Sequence, residues 1–288
     1  MTLTGIEKKD CVLLYSGGTD STCTAALMAE HFQNIHLLTF YQGREKKSCI
    51  SENIQALENK FGPRFIHKII STTKLVKFIS YHRYLKYLFR HRWLVLSTCG
   101  FTTLSWHINA IVYCRLHQIE VVADGLTREL MHFPGHMDAV MEIFRKLYAE
   151  FGISYQNPVR GFDTPPDRQF IDRLIVDQHG FFFPSEESTA ADQRTTGQYL
   201  YQHEILPHPD VKGSPMDHRM QYDCYPFILY NVMIFWIYLN FQSYETVSDK
   251  MSLLFKEKVD DMRILLKEYF EKTGESRLSG LLDGFQGQ

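Results

Sequence analysis

The sequence predicts an α/β fold, a parallel sheet with helices on both faces. Three observations carry that reading. Short apolar runs at Val12-Leu13-Leu14-Tyr15, residues 35–40 and residues 65–70 alternate with segments of helical periodicity. Crossovers of that length join parallel strands. The first run opens directly onto Ser16-Gly17-Gly18-Thr19-Asp20-Ser21, and a helical pattern without a breaker starts at Thr22. In such sheets ligands bind at the carboxyl ends of the strands, beside the switch in strand order.

The elements follow in order. A helix from Thr22 to about His31 precedes the second strand, which ends in a polar turn at residues 42–47. Ile50, Ile54, Leu57 and Phe61 then recur at helical spacing until Gly62-Pro63. After the third strand, residues 72–93 interleave Tyr81, Tyr84, Tyr87, Phe89 and Trp93 with eight basic side chains. The favoured reading is a helix with aromatics toward the core and cations in water. Stacking on a nucleotide or single strand, with Arg83, Arg90 and Arg92 as cations, is the alternative.

Phe101, Leu104, Ile108 and Ile111 mark the next helix, and residues 120–124 a fourth buried strand. Gly125-Leu126-Thr127-Arg128-Glu129 follows at its carboxyl end. Beyond the loop at residues 132–138 come a helix with Val140, Ile143, Leu147 and Phe151, and a fifth strand over 153–159. A helix through Phe170, Leu174 and Ile175 closes the first part. The character changes near residue 180, which divides a first domain (1–180) from a C-terminal region (181–288). That region reads as a proline-broken stretch to 224, a hydrophobic helix at 226–241 and an amphipathic helix at 246–272. In the last, Met251, Phe255, Val259, Met262, Leu266 and Tyr269 share one stripe.

Composition narrows the class. The chain has 288 residues, 44% hydrophobic and 22% charged, and a net charge of −2, so no global basic field announces a nucleic-acid partner. Six cysteines are scattered without a Cys-x-x-Cys pair, in the manner of reduced core thiols. The start carries no cleavable apolar segment, and the longest apolar run falls short of the ~20 residues of a membrane span. A cytoplasmic protein without membrane attachment is expected.

The 16–21 loop is a phosphate cradle by its chemistry. Glycines let the backbone turn sharply and approach an anion, and the amides opening the helix face the charge. Ser16 and Ser21 add hydroxyls, and Asp20 is the carboxylate for a magnesium ion bridging phosphate oxygens. The loop lacks the lysine of Gly-x-x-x-x-Gly-Lys-Ser/Thr and the spacing of Gly-x-Gly-x-x-Gly.

The pattern Ser-Gly-Gly-x-Asp-Ser at the end of the first strand resembles the PP-loop of the N-type ATP pyrophosphatases. The resemblance covers roughly residues 10–180 and implies an adenine nucleotide alpha hydrolase-like, Rossmann-like sheet with a mainly helical extension. It implies ATP bound through Tyr15, Ser16, Gly17, Gly18, Thr19, Asp20 and Ser21, with adenine near Phe40. A second glycine-led loop would supply Gly125, Thr127 and Arg128, Arg128 stabilising charge on the phosphates. Ser16, Asp20, Ser21 and Arg128 are thus the expected catalytic set, with Asp20 holding magnesium.

In layout the chain is most similar to the 7-cyano-7-deazaguanine synthases, whose loop before the next helix lines the substrate pocket. Here His132, His136 and Asp138 occupy that place, and Arg168 is the cation nearest the following helix start. Pro134 and Gly135 keep His132 and His136 off a shared helix face, so no metal pair is read there. Those synthases end in a zinc-binding cysteine cluster. Only Cys224 stands in this region, so zinc is not expected.

The expected activity is adenylation of a small-molecule or nucleobase oxygen with release of pyrophosphate, followed by displacement of AMP by a nitrogen nucleophile. A tRNA or nucleobase thiolase, with Cys99 or Cys224 as the thiol, and a non-catalytic nucleotide-binding module are the alternatives. ATP and Mg²⁺ are the expected ligands. A tRNA partner is left open, as is a homodimer through the C-terminal helices.

Overall fold

Every strand pairing among the described residues of the computed structural model is parallel. The structure describes residues 9–42, 50–127, 133–162, 194–209, 241–272 and 275–283. Five strands, β1 (Cys11–Leu14), β2 (Ile35–Tyr41), β3 (Phe65–Ser71), β4 (Val121–Asp124) and β5 (Ser154–Gln156), form one sheet in the order β3-β2-β1-β4-β5. Leu14 lies opposite both Leu38 of β2 and Asp124 of β4, so β1 and β4 end at one level while β2 runs on to Tyr41. The chain passes from β1 outward to β2 and β3, then returns to place β4 on the other side of β1. That reversal creates a crevice at the carboxyl ends of β1 and β4.

β1 is apolar throughout because both its faces are covered. Cys11 and Leu13 join a core with α1 (Thr19–Ala29) and α2 (Ile50–Phe61). Val12 and Leu14 face the opposite core, built on α3 (Thr73–Tyr81), α5 (Thr98–His117) and α6 (Asp138–Glu150). α5 is buried almost all round. The long C-terminal helix, α8 (Tyr244–Glu271), packs on α6 and α5, and all six residues of its expected stripe are buried in this second core. Within this chain, then, that stripe is already covered.

Three expectations about local structure are corrected. Residues 72–93 are not one helix: α3 ends at Tyr81, Arg83 takes the left-handed conformation at φ +53°, and α4 (Tyr84–His91) starts anew. The break turns the aromatics apart. Tyr87 is buried, whereas Phe89 and Trp93 are 83% and 63% exposed. The cations turn toward α8 instead, Arg83 to Asp261 at 2.8 Å and Arg90 to Glu257 at 2.9 Å. Beneath them Lys258 is buried, donating to the carbonyls of Ile79 and His82 and lying 4.0 Å from the Tyr87 ring centroid. Burial lowers its ammonium to about 8.

The fifth strand is only three residues long, because the chain turns at Asn157-Pro158 and Pro158 has no amide to pair. The third correction is a helix inside the stretch read as irregular, α7 (Thr196–Gln202). Thr195 accepts from the Gln198 amide while the Gln198 side chain accepts from the Thr195 amide, a reciprocal capping box. α7 lies along α1. The boundary near residue 180, the helix through Phe170 and the helix at 226–241 fall outside the described residues. No helix among the described residues is long and apolar enough to cross a membrane.

Candidate functional site

The crevice between β1 and β4 is lined by the two loops singled out from the sequence. After Leu14 the chain turns through Gly17 at φ +83°, a region that L side chains rarely enter. The Gly17 carbonyl accepts from Asn53 Nδ2 at 2.7 Å, so α2 clamps the turn. Gly18 precedes α1 in an extended conformation and no side chain caps the helix there. Its carbonyl accepts from the Thr22 amide at 3.0 Å, the Thr22 hydroxyl at 2.9 Å and the Ser21 hydroxyl at 3.0 Å. The amides of residues 19–21 precede this first intrahelical bond, at the positive end of the helix dipole.

Hydroxyls surround that helix start. Ser16 Oγ accepts from the Gly18 amide at 3.3 Å and lies 3.1 Å from Ser21 Oγ. Thr19 Oγ1 is buried without a hydrogen-bond partner among the described residues, and so is Thr127 Oγ1 in the second loop. A buried hydroxyl without a partner on each loop fits a polar ligand held between them.

The second loop lies directly on the first. A Cβ on Gly125 would stand 2.6 Å from the Ser21 amide nitrogen and 2.7 Å from its Cα. Only glycine allows main chain to approach main chain this closely. Thr24 Oγ1 lies 3.0 Å from the Asp20 carbonyl and 3.3 Å from the Asp124 carbonyl, binding helix and strand end together.

Asp124 anchors the second loop. Its Oδ1 accepts from the Leu126 amide at 3.1 Å and from Asn157 Nδ2 at 2.6 Å, and Oδ2 accepts from the Tyr155 hydroxyl. The carboxyl is 4% exposed, and burial raises it to about 6 despite these donors. Tyr155 stacks on Tyr148, whose hydroxyl hydrogen-bonds His107 Nδ1 at 3.0 Å. His107 is driven down to about 3, first by burial and then by nearby His136, so it is neutral. His136 of the pre-α6 loop therefore adjoins a buried network that ends on Asp124.

The other expected residues sort by position. Tyr15 contributes backbone only at this edge: its ring is buried toward α1 and its hydroxyl meets Thr22 Oγ1 at 3.1 Å. Phe40 is at the same sheet edge, with its ring stacked on Trp106 at 6.0 Å. Asp138 opens α6 and pairs with Arg160. Cys99 sits partly buried in the first turn of α5. Arg128, His132, Arg168 and Cys224 lie outside the described residues.

Asp20, in the first turn of α1, accepts from the Thr196 hydroxyl at 2.6 Å on Oδ1. Among the described residues no group of three or more His, Cys, Asp or Glu is placed to hold a metal ion. One carboxylate beside hydroxyls and helix amides instead fits Mg²⁺ shared with phosphate oxygens.

Residues 10–82 match a protein family. Its model is that of QueC, queuosine biosynthesis protein QueC, and the matched stretch runs from the strand before the loop to the end of α3. Over that stretch the chain is similar to QueC. No curated protein sequence matches significantly. Among solved structures, a predicted subunit of a tRNA methyltransferase from Methanocaldococcus jannaschii is 20% identical. That likeness covers 57% of this chain and 74% of the other, with a TM-score of 0.35. The U34-tRNA thiolase NcsA from Methanococcus maripaludis, with its [4Fe-4S] cluster, is 12% identical over 91% of this chain and 74% of its own, also at 0.35. At these scores neither structure bears on function.

Asn53, Asp124 and Thr196 were not foreseen as site residues. Asn53 carried a signal, being the polar residue in line with buried Ile50 and Leu57 on α2. Thr196 carried one too, since Thr195 and Gln198 spell a capping box. Asp124 read only as the end of a strand.

Proposed function

We propose that this chain is a PP-loop enzyme that splits ATP between its α- and β-phosphates to activate a nucleobase or nucleoside-modification substrate. The observation that carries it is the contact of the Gly125 main chain with the Ser21 amide, which gathers two glycine loops around one helix start at the strand switch. The QueC match over the first loop supports the same reading.

In this reading the amides of residues 19–21 and the hydroxyls of Ser16, Thr19 and Ser21 bind the phosphates, and Thr127 and Arg128 are assigned to them from the second loop. Asp20 would hold Mg²⁺, which would supply positive charge against the phosphates. A substrate oxygen forms a bond to the α-phosphorus as the bond to pyrophosphate breaks, leaving an adenylated intermediate. A nitrogen nucleophile then expels AMP. Positioning and charge neutralisation are the protein's contribution. His132, His136, Asp138 and Arg168 are assigned to the substrate side.

Calorimetric titration with MgATP tests the loop. Ser16→Ala should weaken binding about tenfold, the value of one hydrogen bond to a charged group, and Asp20→Ala by more. Circular dichroism should be unchanged. Wild-type affinity in both variants would remove the 16–21 loop from the site.

A further inference from the structure

We propose that Thr196 is a positioning residue that fixes the Asp20 carboxylate for magnesium, making the C-terminal region part of the nucleotide site. The proposal rests on the reading of Asp20 given above. Its basis is a side-chain bond across 176 positions of sequence, from Thr196 Oγ1 to Asp20 Oδ1 at 2.6 Å. Thr196 is 2% exposed, so water does not compete for that bond.

The segment is built to deliver this hydroxyl. The capping box of Thr195 and Gln198 sets the start of α7, with Thr196 as its first residue. At the other end of α1, the Tyr199 hydroxyl donates to Glu30 Oε1 at 3.3 Å. Leu200, Ile205 and Leu206 are buried in the core shared with α1 and α2. Gly197 permits close passage of the chain, since a Cβ there would stand 2.3 Å from the Pro209 carbonyl oxygen. α7 is thus fastened along α1 independently of Asp20, and Thr196 meets the carboxylate as a fixed donor.

A carboxylate in the first turn of a helix has rotamers that fold back over its own helix amides, where the dipole attracts it. A donor from another element selects one rotamer before any ligand arrives. Binding then does not have to order that side chain, which is the source of affinity gained by preorganisation. Neither residue 196 nor its segment lies in the stretch matched by the QueC model.

Thr196→Val keeps the shape and removes the donor, and Thr196→Ser restores the donor. Titrating Mg²⁺ at fixed ATP in the full chain should show the half-saturating Mg²⁺ concentration rise about tenfold in the valine variant and return to within about threefold of wild type in the serine variant. ATP binding in EDTA and the melting temperature should be the same in all three. Tyr199→Phe, which loosens α7 at its other end, should leave the Mg²⁺ dependence alone. If the valine variant matches wild type, or if it and Tyr199→Phe lose magnesium-free ATP binding and melting temperature together, Thr196 is structural and the proposal is overturned. If wild type binds no ATP even with Mg²⁺, the functional reading itself fails, an outcome distinct from either.

Discussion

Gly125→Ala should lower MgATP affinity about a hundredfold and the melting temperature by about 5–10 °C. The new methyl would sit 2.6 Å from the Ser21 nitrogen, 2.7 Å from Ser21 Cα and 2.9 Å from the Asp20 carbonyl carbon. All three are main-chain atoms of the first turn of α1, so no side chain can swing away. Either the second loop lifts off the helix start or the helix start moves, and a displacement of about 1 Å in a phosphate site costs on the order of a hundredfold. Calorimetry and thermal melts on the same preparation check both parts. Binding within twofold of wild type would mean that the loops need not touch for ATP to bind.

Asp124→Leu should cost about 3–5 kcal/mol in urea unfolding, because it strands the Leu126 amide, Asn157 Nδ2 and the Tyr155 hydroxyl in a buried place. Asp124→Asn should be much milder, since an amide oxygen can still accept from Leu126 and Asn157. The two substitutions therefore separate geometry from charge. The carboxyl ionises near 4 in the unfolded chain and near 6 in the folded one, where burial opposes its charge. Between those values the folded state binds more protons, so the contribution of Asp124 is full below about pH 4 and is lost as pH rises through about 6. Stability of Asp124→Asn relative to wild type should therefore increase from pH 4 to pH 8. A flat difference across that range would mean that the carboxyl is ionised as easily in the folded chain as in the unfolded one.

What the sequence made legible was the part governed by local chemistry. Two glycines among hydroxyls after an apolar strand have few other uses, and the parallel crossovers follow from the alternation of runs. The stripe of α8 was visible because period and burial agree from Met251 to Tyr269, about five turns. Harder were the contacts between elements distant in sequence. Nothing near Asp124 says that Tyr155 and Asn157 meet it, because β5 reaches it only through sheet pairing. Residues 72–93 misled because the aromatic count suggested a core face, whereas the left-handed Arg83 rotates α4 and sends Phe89 outward, and a second positive-φ residue, Arg92 at φ +54°, breaks the chain again before exposed Trp93. α7 was hidden by its short length in a stretch broken by Pro184, Pro207 and Pro209, though its capping box stood in plain view.

The bond that is cleaved tests the central claim most directly. Wild-type chain is incubated with α- and γ-labelled ATP, Mg²⁺ and a cell extract that supplies metabolites and tRNA, with the Asp20→Ala chain as the blank. The PP-loop reading predicts that wild-type-dependent turnover releases the γ label as pyrophosphate and leaves the α label in AMP or an AMP adduct. Label recovered as orthophosphate and ADP, in excess over the blank, would contradict it.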